Sequence, residues 1–243
     1  MSISYGLQLY SLRDLLTGTN MTEVLKRTAA IGYQSVEFAG YGGLSAKELK
    51  SALEETNLFP IGTHIGLDML KSDCIEETIA FHKELGCTNL VIPYADTSTK
   101  EALDLLINTL NEAQPLAEQA GMKLHYHNHY QEFAPNQDGL IPEEELYRRT
   151  SIQFEIDVFW AYVAGVDPLE LLNRFGRRVS LIHLKDGKSD HSGAYLGKGE
   201  VSIADIRDYA VQNEIGMIVE SEDQHPDGIT EVTACFNYLK KLD

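Results

Sequence analysis

The sequence predicts a single (β/α)8 barrel, and three observations carry that expectation. Short apolar runs alternate with amphipathic helical patterns along all 243 residues, as a parallel sheet with covering helices requires. Eight such pairs, each of roughly 30 residues, fill one domain, 1–243, without a linker or repeat boundary. The competing open doubly wound sheet would carry a glycine-rich phosphate turn after its first strand. The stretch LQLYSLRD (7–14) has none.

The strand candidates, in order, are ISYGLQLY (3–10), SVEFA (35–39), PIGTHI (60–65), NLVIPY (89–94), KLHYHN (123–128), IQFEID (152–157), VSLIHLK (179–185) and MIVESE (217–222). Helical periodicity falls at 21–32, 45–57, 74–86, 98–121, 142–150, 167–175, 202–213 and 230–242. Pro115 either kinks the longest of these or begins a second segment. Gly32, Gly86 and Gly121 sit where a helix C-terminus needs a left-handed residue.

A 43% hydrophobic content supports a proper core. The formal charge of −17 argues against nucleic acid or an anionic membrane as partner, because both need a basic patch. Cys74, Cys87 and Cys235 are scattered and odd in number, which reads as free thiols in a reducing compartment. The opening MSISYGLQLY lacks the pattern of a secretory leader, and no apolar run is long enough to span a membrane. A cytoplasmic location is expected. Barrels of this size often self-associate, so a homo-oligomer is compatible with the chain.

Barrel active sites are built at the C-terminal ends of the strands. Ionisable residues gather there: Glu37, His64, Glu155, Asp157, His183, Lys185, Glu220 and Glu222. The alternate positions Phe154, Ile156, Ile182 and Leu184 are apolar, as packing against helices demands. In LHYHNHYQEF (124–133), His125, His127 and His129 share one strand face, with Glu132 just beyond. Asp157, His183 and Glu220 lie on three consecutive strands and can converge above the barrel. Such an imidazole–carboxylate set suits Mn, Zn, Co or Fe better than Ca or Mg. Each residue alone has a plainer role: His183 a bonded core histidine, Asp157 a helix cap, Glu220 a partner of Lys185. The run GAYLGKGEVSIADI (193–206) reads as a mobile loop over the mouth, with a phosphate cradle as the alternative.

These pieces resemble the sugar phosphate isomerase/epimerase family of the xylose isomerase-like TIM barrels. The matching motifs are GLQLYSLRD (6–14), IGYQSVEFAGYGG (31–43), GTHIGLD (62–68), YHNHYQEF (126–133), EIDVFW (155–160), HLKD (183–186), LGKGE (196–200) and IVESED (218–223). The resemblance implies one divalent ion, Mn, Zn, Co or Mg, held by Asp157, His183 and Glu220 with a fourth ligand from the fifth strand. The family places a glutamate within that strand, and this chain carries YHNH there instead. Glu132, His129 and His127 are the options, with Glu132 preferred. The resemblance further implies His127, His129 and Glu220 as catalytic groups and His64, Trp160 and Lys185 as substrate contacts.

The implied activity is isomerisation or epimerisation of a sugar, sugar phosphate or cyclitol through an enediolate. A lyase or dehydratase acting on an inosose or 3-keto-sugar is the alternative, and a non-catalytic sugar-binding barrel is the alternative of another class. A DNA-hydrolysing activity like that of endonuclease IV would need more His and Asp ligands and a basic surface, which the charge opposes.

Overall fold

The structure is a computed structural model that describes residues 3–16 and 21–243. Residues 1–2, part of the stretch read for a leader, lie outside the described residues. Seven strands run in order: β1 (Gly6–Gln8), β2 (Ser35–Phe38), β3 (Phe59–His64), β4 (Asn89–Ile92), β5 (Lys123–His127), β6 (Gln153–Asp157) and β7 (Val179–Leu184). A two-stranded ribbon, β8 (Asp186–Gly187) with β9 (Gly193–Ala194), precedes the closing strand β10 (Gly216–Val219). The eight barrel strands pair in parallel as a closed ring in the order β1-β10-β7-β6-β5-β4-β3-β2. Closure leaves no open sheet edge, and the expected (β/α)8 architecture is the one observed.

The helices are α1 (Met21–Ile31), α2 (Ala46–Thr56), α3 (Ile75–Leu85), α4 (Lys100–Gln119), α5 (Pro142–Arg149), α6 (Val158–Val163), α7 (Pro168–Phe175), α8 (Ile203–Gln212) and α9 (Gly228–Lys240). Their local signals are strong. Ser45 and Glu48 form a reciprocal capping box on α2, and Gly86 closes α3 at φ 85°. Pro115 lies inside α4, which stays one helix of 20 residues. One helix more than the eight expected appears among the described residues: α6, opened by Asp157 at its N-cap. Strand ends also shift. β1 gives way after Gln8 to a 3-10 turn, and β10 stops at Val219, leaving Glu220 one residue beyond it.

Two cores result from the barrel geometry. The larger lies between strands and helices and takes Phe154, Ile156, Ile182 and Leu184. Inside the barrel, Val91, Leu181 and Ile218, with Ile61 against them, form a small apolar plug. Two residues further along, the inward positions become His183 at β7 and Glu220 just past β10. The barrel is therefore apolar at its base and ionisable at the C-terminal strand ends.

Two bulges adjust this interior. Val36 pairs with Pro60 but Glu37 with Gly62, so Ile61 is the extra residue. Phe154 pairs with Val179 but Glu155 with Leu181, so Ser180 is the extra one. A bulge re-aims a side chain: Ser180 Oγ turns in to meet His125 Nε2 at 2.8 Å. Among the described residues no helix is long and apolar enough to cross a membrane, and Cys74, Cys87 and Cys235 are free thiols.

Gly62 illustrates how tightly the interior is fitted. A Cβ there would collide with the Glu37 carboxylate. Gly62→Ala is expected to cost about 1–3 kcal/mol through overpacking, read as a lowered urea midpoint with unchanged slope.

Candidate active site

Four strand ends bring His127, Asp157, His183 and Glu220 together, with one potential ligand atom from each lying within 4.8 Å of all the others. All four side chains are buried. Asp157 is held from two sides. Its Oδ1 accepts the Trp160 backbone N–H at 2.9 Å, while the Asn128 side chain bonds both its backbone N–H (3.0 Å) and its C=O (3.2 Å). Asn128, which no sequence motif singled out, thus ties the end of β5 to the end of β6. Asp157 Oδ2 has no hydrogen-bond partner and faces Lys185 Nζ at 3.9 Å.

A second group, His64, His127, Glu155 and His183, lies deeper and shares two members with the first. Glu37 belongs with it. Its Oε2 accepts from Gln8 Nε2 at 2.8 Å and lies 2.7 Å from His183 Nε2. His64 Nε2 stands between Glu155 (3.0 Å) and Glu37 (3.3 Å). Alternation with Asp157 already placed Glu155 on the inward face, but no motif assigned it a function.

Electrostatics here are set by burial. It pushes Asp157 and Glu155 up to about 7. Burial opposes ionisation of Glu220 as well, but Lys185 and His183 outweigh it and hold that carboxyl well below its ordinary range. For His64, burial is outweighed by Glu37 and Glu155, and the imidazolium persists to about 10. His127 and His129 go the other way. Burial and neighbouring cations lower both, His129 to about 4, so both rings are neutral at pH 7.

The remaining expectations divide. Glu132 is not in either group. Its carboxylate accepts from Tyr126 Oη (3.2 Å) and the His129 backbone N–H (2.9 Å), which turns it away from the barrel axis. Glu132, preferred as the fourth ligand, thus lies outside both groups, and the member from β5 is His127. His64, His127, His129 and Glu220 line a cavity of about 470 Å³ at the mouth, with Tyr10 and Tyr94 on its rim. Trp160 stands behind that lining, its ring 5.9 Å from His129 and 4.8 Å from Lys185 Nζ. Lys185 is engaged by Glu220 at 3.0 Å and by Glu222. His125, bonded to Ser180 and lowered to about 4 by burial, is structural.

The glycine-rich loop is tied down by one buried carboxylate. Asp186 accepts backbone N–H groups from Gly187, Gly197, Gly199 and Val201 at 2.8–3.1 Å. The amides of Gly197 and Gly199 that a phosphate would need are already used.

The donor chemistry fits a divalent ion. Two imidazoles and two carboxylates converge, and Asp157 Oδ2 is buried among them without a hydrogen-bond partner. An unsatisfied buried polar atom of that kind is costly unless something binds it.

A family described as xylose isomerase-like TIM barrel matches residues 25–240. Inosose dehydratase of Geobacillus kaustophilus (strain HTA426) is 23% identical over 192 residues, 69% of this chain and 62% of that protein. Inosose dehydratase of Clostridium botulinum (strain Alaska E43 / Type E3) is 27% identical over 202 residues, 71% of this chain and 65% of its own. The matched region spans less than two thirds of the length of these two curated relatives. A sugar phosphate isomerase/epimerase from Parabacteroides distasonis ATCC 8503 superposes with a TM-score of 0.83 at 26% identity, covering 99% of this chain and 98% of that one. The probable 3-DHS dehydratase from Bacillus anthracis superposes at 0.77, covering 98% and 99%, and at 13% identity shares the fold alone.

His64 supplies a test of the buried network. Its folded pKa, about 10, lies above the unfolded value near 6.5. Its stabilisation is therefore complete below about pH 6.5 and is lost as pH rises through about 10. Urea unfolding of the chelator-treated protein across that window is expected to show falling stability, with a flatter profile for His64→Asn.

Proposed function

Because the chain belongs to the xylose isomerase-like TIM barrel family, we propose that it is a divalent-metal-dependent enzyme that removes the proton α to the carbonyl of a sugar or cyclitol ketone. The convergence of His127, Asp157, His183 and Glu220 at the barrel mouth carries this reading. An ion held by these four would polarise the substrate carbonyl and stabilise the enediolate left by proton loss. With imidazole in place of the expected fourth carboxylate, the set suits Mn, Zn, Co or Fe, and Mg fits less well.

The chain's own groups divide the remaining work. His127, expected as the proton-transfer residue, is buried within the ligand group, and that role passes to His129. His129 lines the cavity and is kept neutral by burial and Lys185, so it accepts a proton at pH 7. Its Trp160 neighbour limits where the ring can turn. Glu220 stays ionised as a ligand, and Lys185, saturated by carboxylates, holds Glu220 in place. Tyr10 and Tyr94 offer flat faces to a sugar ring.

The imidazolium formed on His129 has two outlets. Return of the proton to the neighbouring carbon gives an isomer, as expected of an isomerase or epimerase. Delivery to a departing hydroxyl gives a dehydratase. The second outlet is favoured by the relatives, which carry the name inosose dehydratase.

Incubation with unphosphorylated ketoses and inososes in D2O tests the reading. Deuterium is expected at the α-carbon of recovered substrate or product, with water loss marking the dehydratase. His129→Gln should lower kcat by about 10²–10⁴-fold while metal content is unchanged; full activity in that variant would remove His129 from the chemistry.

A further inference from the structure

One imidazole of the upper group, His183, is backed at a single ring nitrogen by two buried carboxylates. His183 turns Nδ1 toward Glu220 Oε2 (3.3 Å) and Nε2 toward Glu37 Oε2 (2.7 Å). The same His183 Nε2 lies 3.2 Å from Glu155 Oε2, whereas His127 Nδ1, equally far from that oxygen, makes no hydrogen bond. We propose that Glu37 and Glu155 are positioning residues that fix which ring nitrogen His183 offers to the divalent ion. The inference rests on the upper group being the ion's ligand set.

Neither carboxylate can act on substrate, since both are fully buried. Both are themselves held. Glu37 accepts from Gln8 Nε2, in space that only a glycine at position 62 leaves open. Glu155 Oε2 meets His64 Nε2 at 3.0 Å. A carboxylate beside one ring nitrogen keeps the proton there, which frees the other nitrogen's lone pair and raises its basicity. On this arrangement His183 would coordinate through Nδ1 with its proton on Nε2.

Manganese titration calorimetry with Glu37→Gln, Glu37→Leu and Glu155→Gln tests the idea. Wild type is expected to bind one ion, and Glu37→Gln and Glu155→Gln should each bind it about 10- to 100-fold more weakly. Glu37→Leu, which has no acceptor, should lose more than Glu37→Gln, a grading that packing alone does not produce. Nitrogen-15 histidine spectra of the zinc-loaded protein should show His183 as an Nε2–H ring. The His183 signal should drift to a tautomer mixture in Glu37→Leu. Unchanged affinity and spectra in all three variants would overturn the proposal while leaving the ligand set intact. Two ions in wild type, with one lost from each variant, would overturn it by making Glu37 and Glu155 ligands. No ion in wild type would overturn it together with the ligand set.

Discussion

Concentrated negative charge inside the barrel is the constraint on which the rest of the structure depends. Glu37, Glu155, Asp157 and Glu220 are buried within a few ångströms of one another, in a chain already at −17. Unpaired charges at that depth cost several kcal/mol each. Lys185 and the His64 imidazolium supply two positive charges. A divalent ion bound as proposed would supply two more positive charges. The raised pKa values of Asp157 and Glu155 are the same imbalance expressed as proton affinity.

Much of the surrounding architecture serves this charge. The apolar plug of Val91, Leu181 and Ile218 closes the base, so the ionisable layer opens only toward the mouth. The bulges at Ile61 and Ser180 sit beside Glu37 and Glu155, the two carboxylates of the deeper layer. Gly62 yields its side-chain space to Glu37, and Asn128 bolts β5 to β6 where His127 and Asp157 must meet. The Asp186 carboxylate gathers four backbone amides and ties the glycine-rich loop to the end of β7. The cavity at the mouth reaches His64, His127, His129 and Glu220.

Strand order, the apolar-outward alternation of β6 and β7, and the gathering of Asp157, His183 and Glu220 at one end were all legible, because period-two patterning fixes which side chains share a face. The fourth member of the group was not. Glu132 is close in sequence, but the turn after β5 sends its carboxylate to Tyr126 and a backbone amide, a choice made by tertiary contacts that no spacing encodes. Trp160 likewise sits three residues from Asp157, in the first turn of the short helix α6, and is not among the residues lining the cavity. The pairing of Glu37 with His183 joins residues 146 apart. Such contacts are invisible until the barrel closes.

Anomalous diffraction from crystals grown with manganese addresses the central claim most directly. A single peak bonded to His127, Asp157, His183 and Glu220, with Glu37 and Glu155 outside bonding distance, is the predicted result. A peak among Glu37, His64 and Glu155, or none at all at saturating manganese, would contradict it.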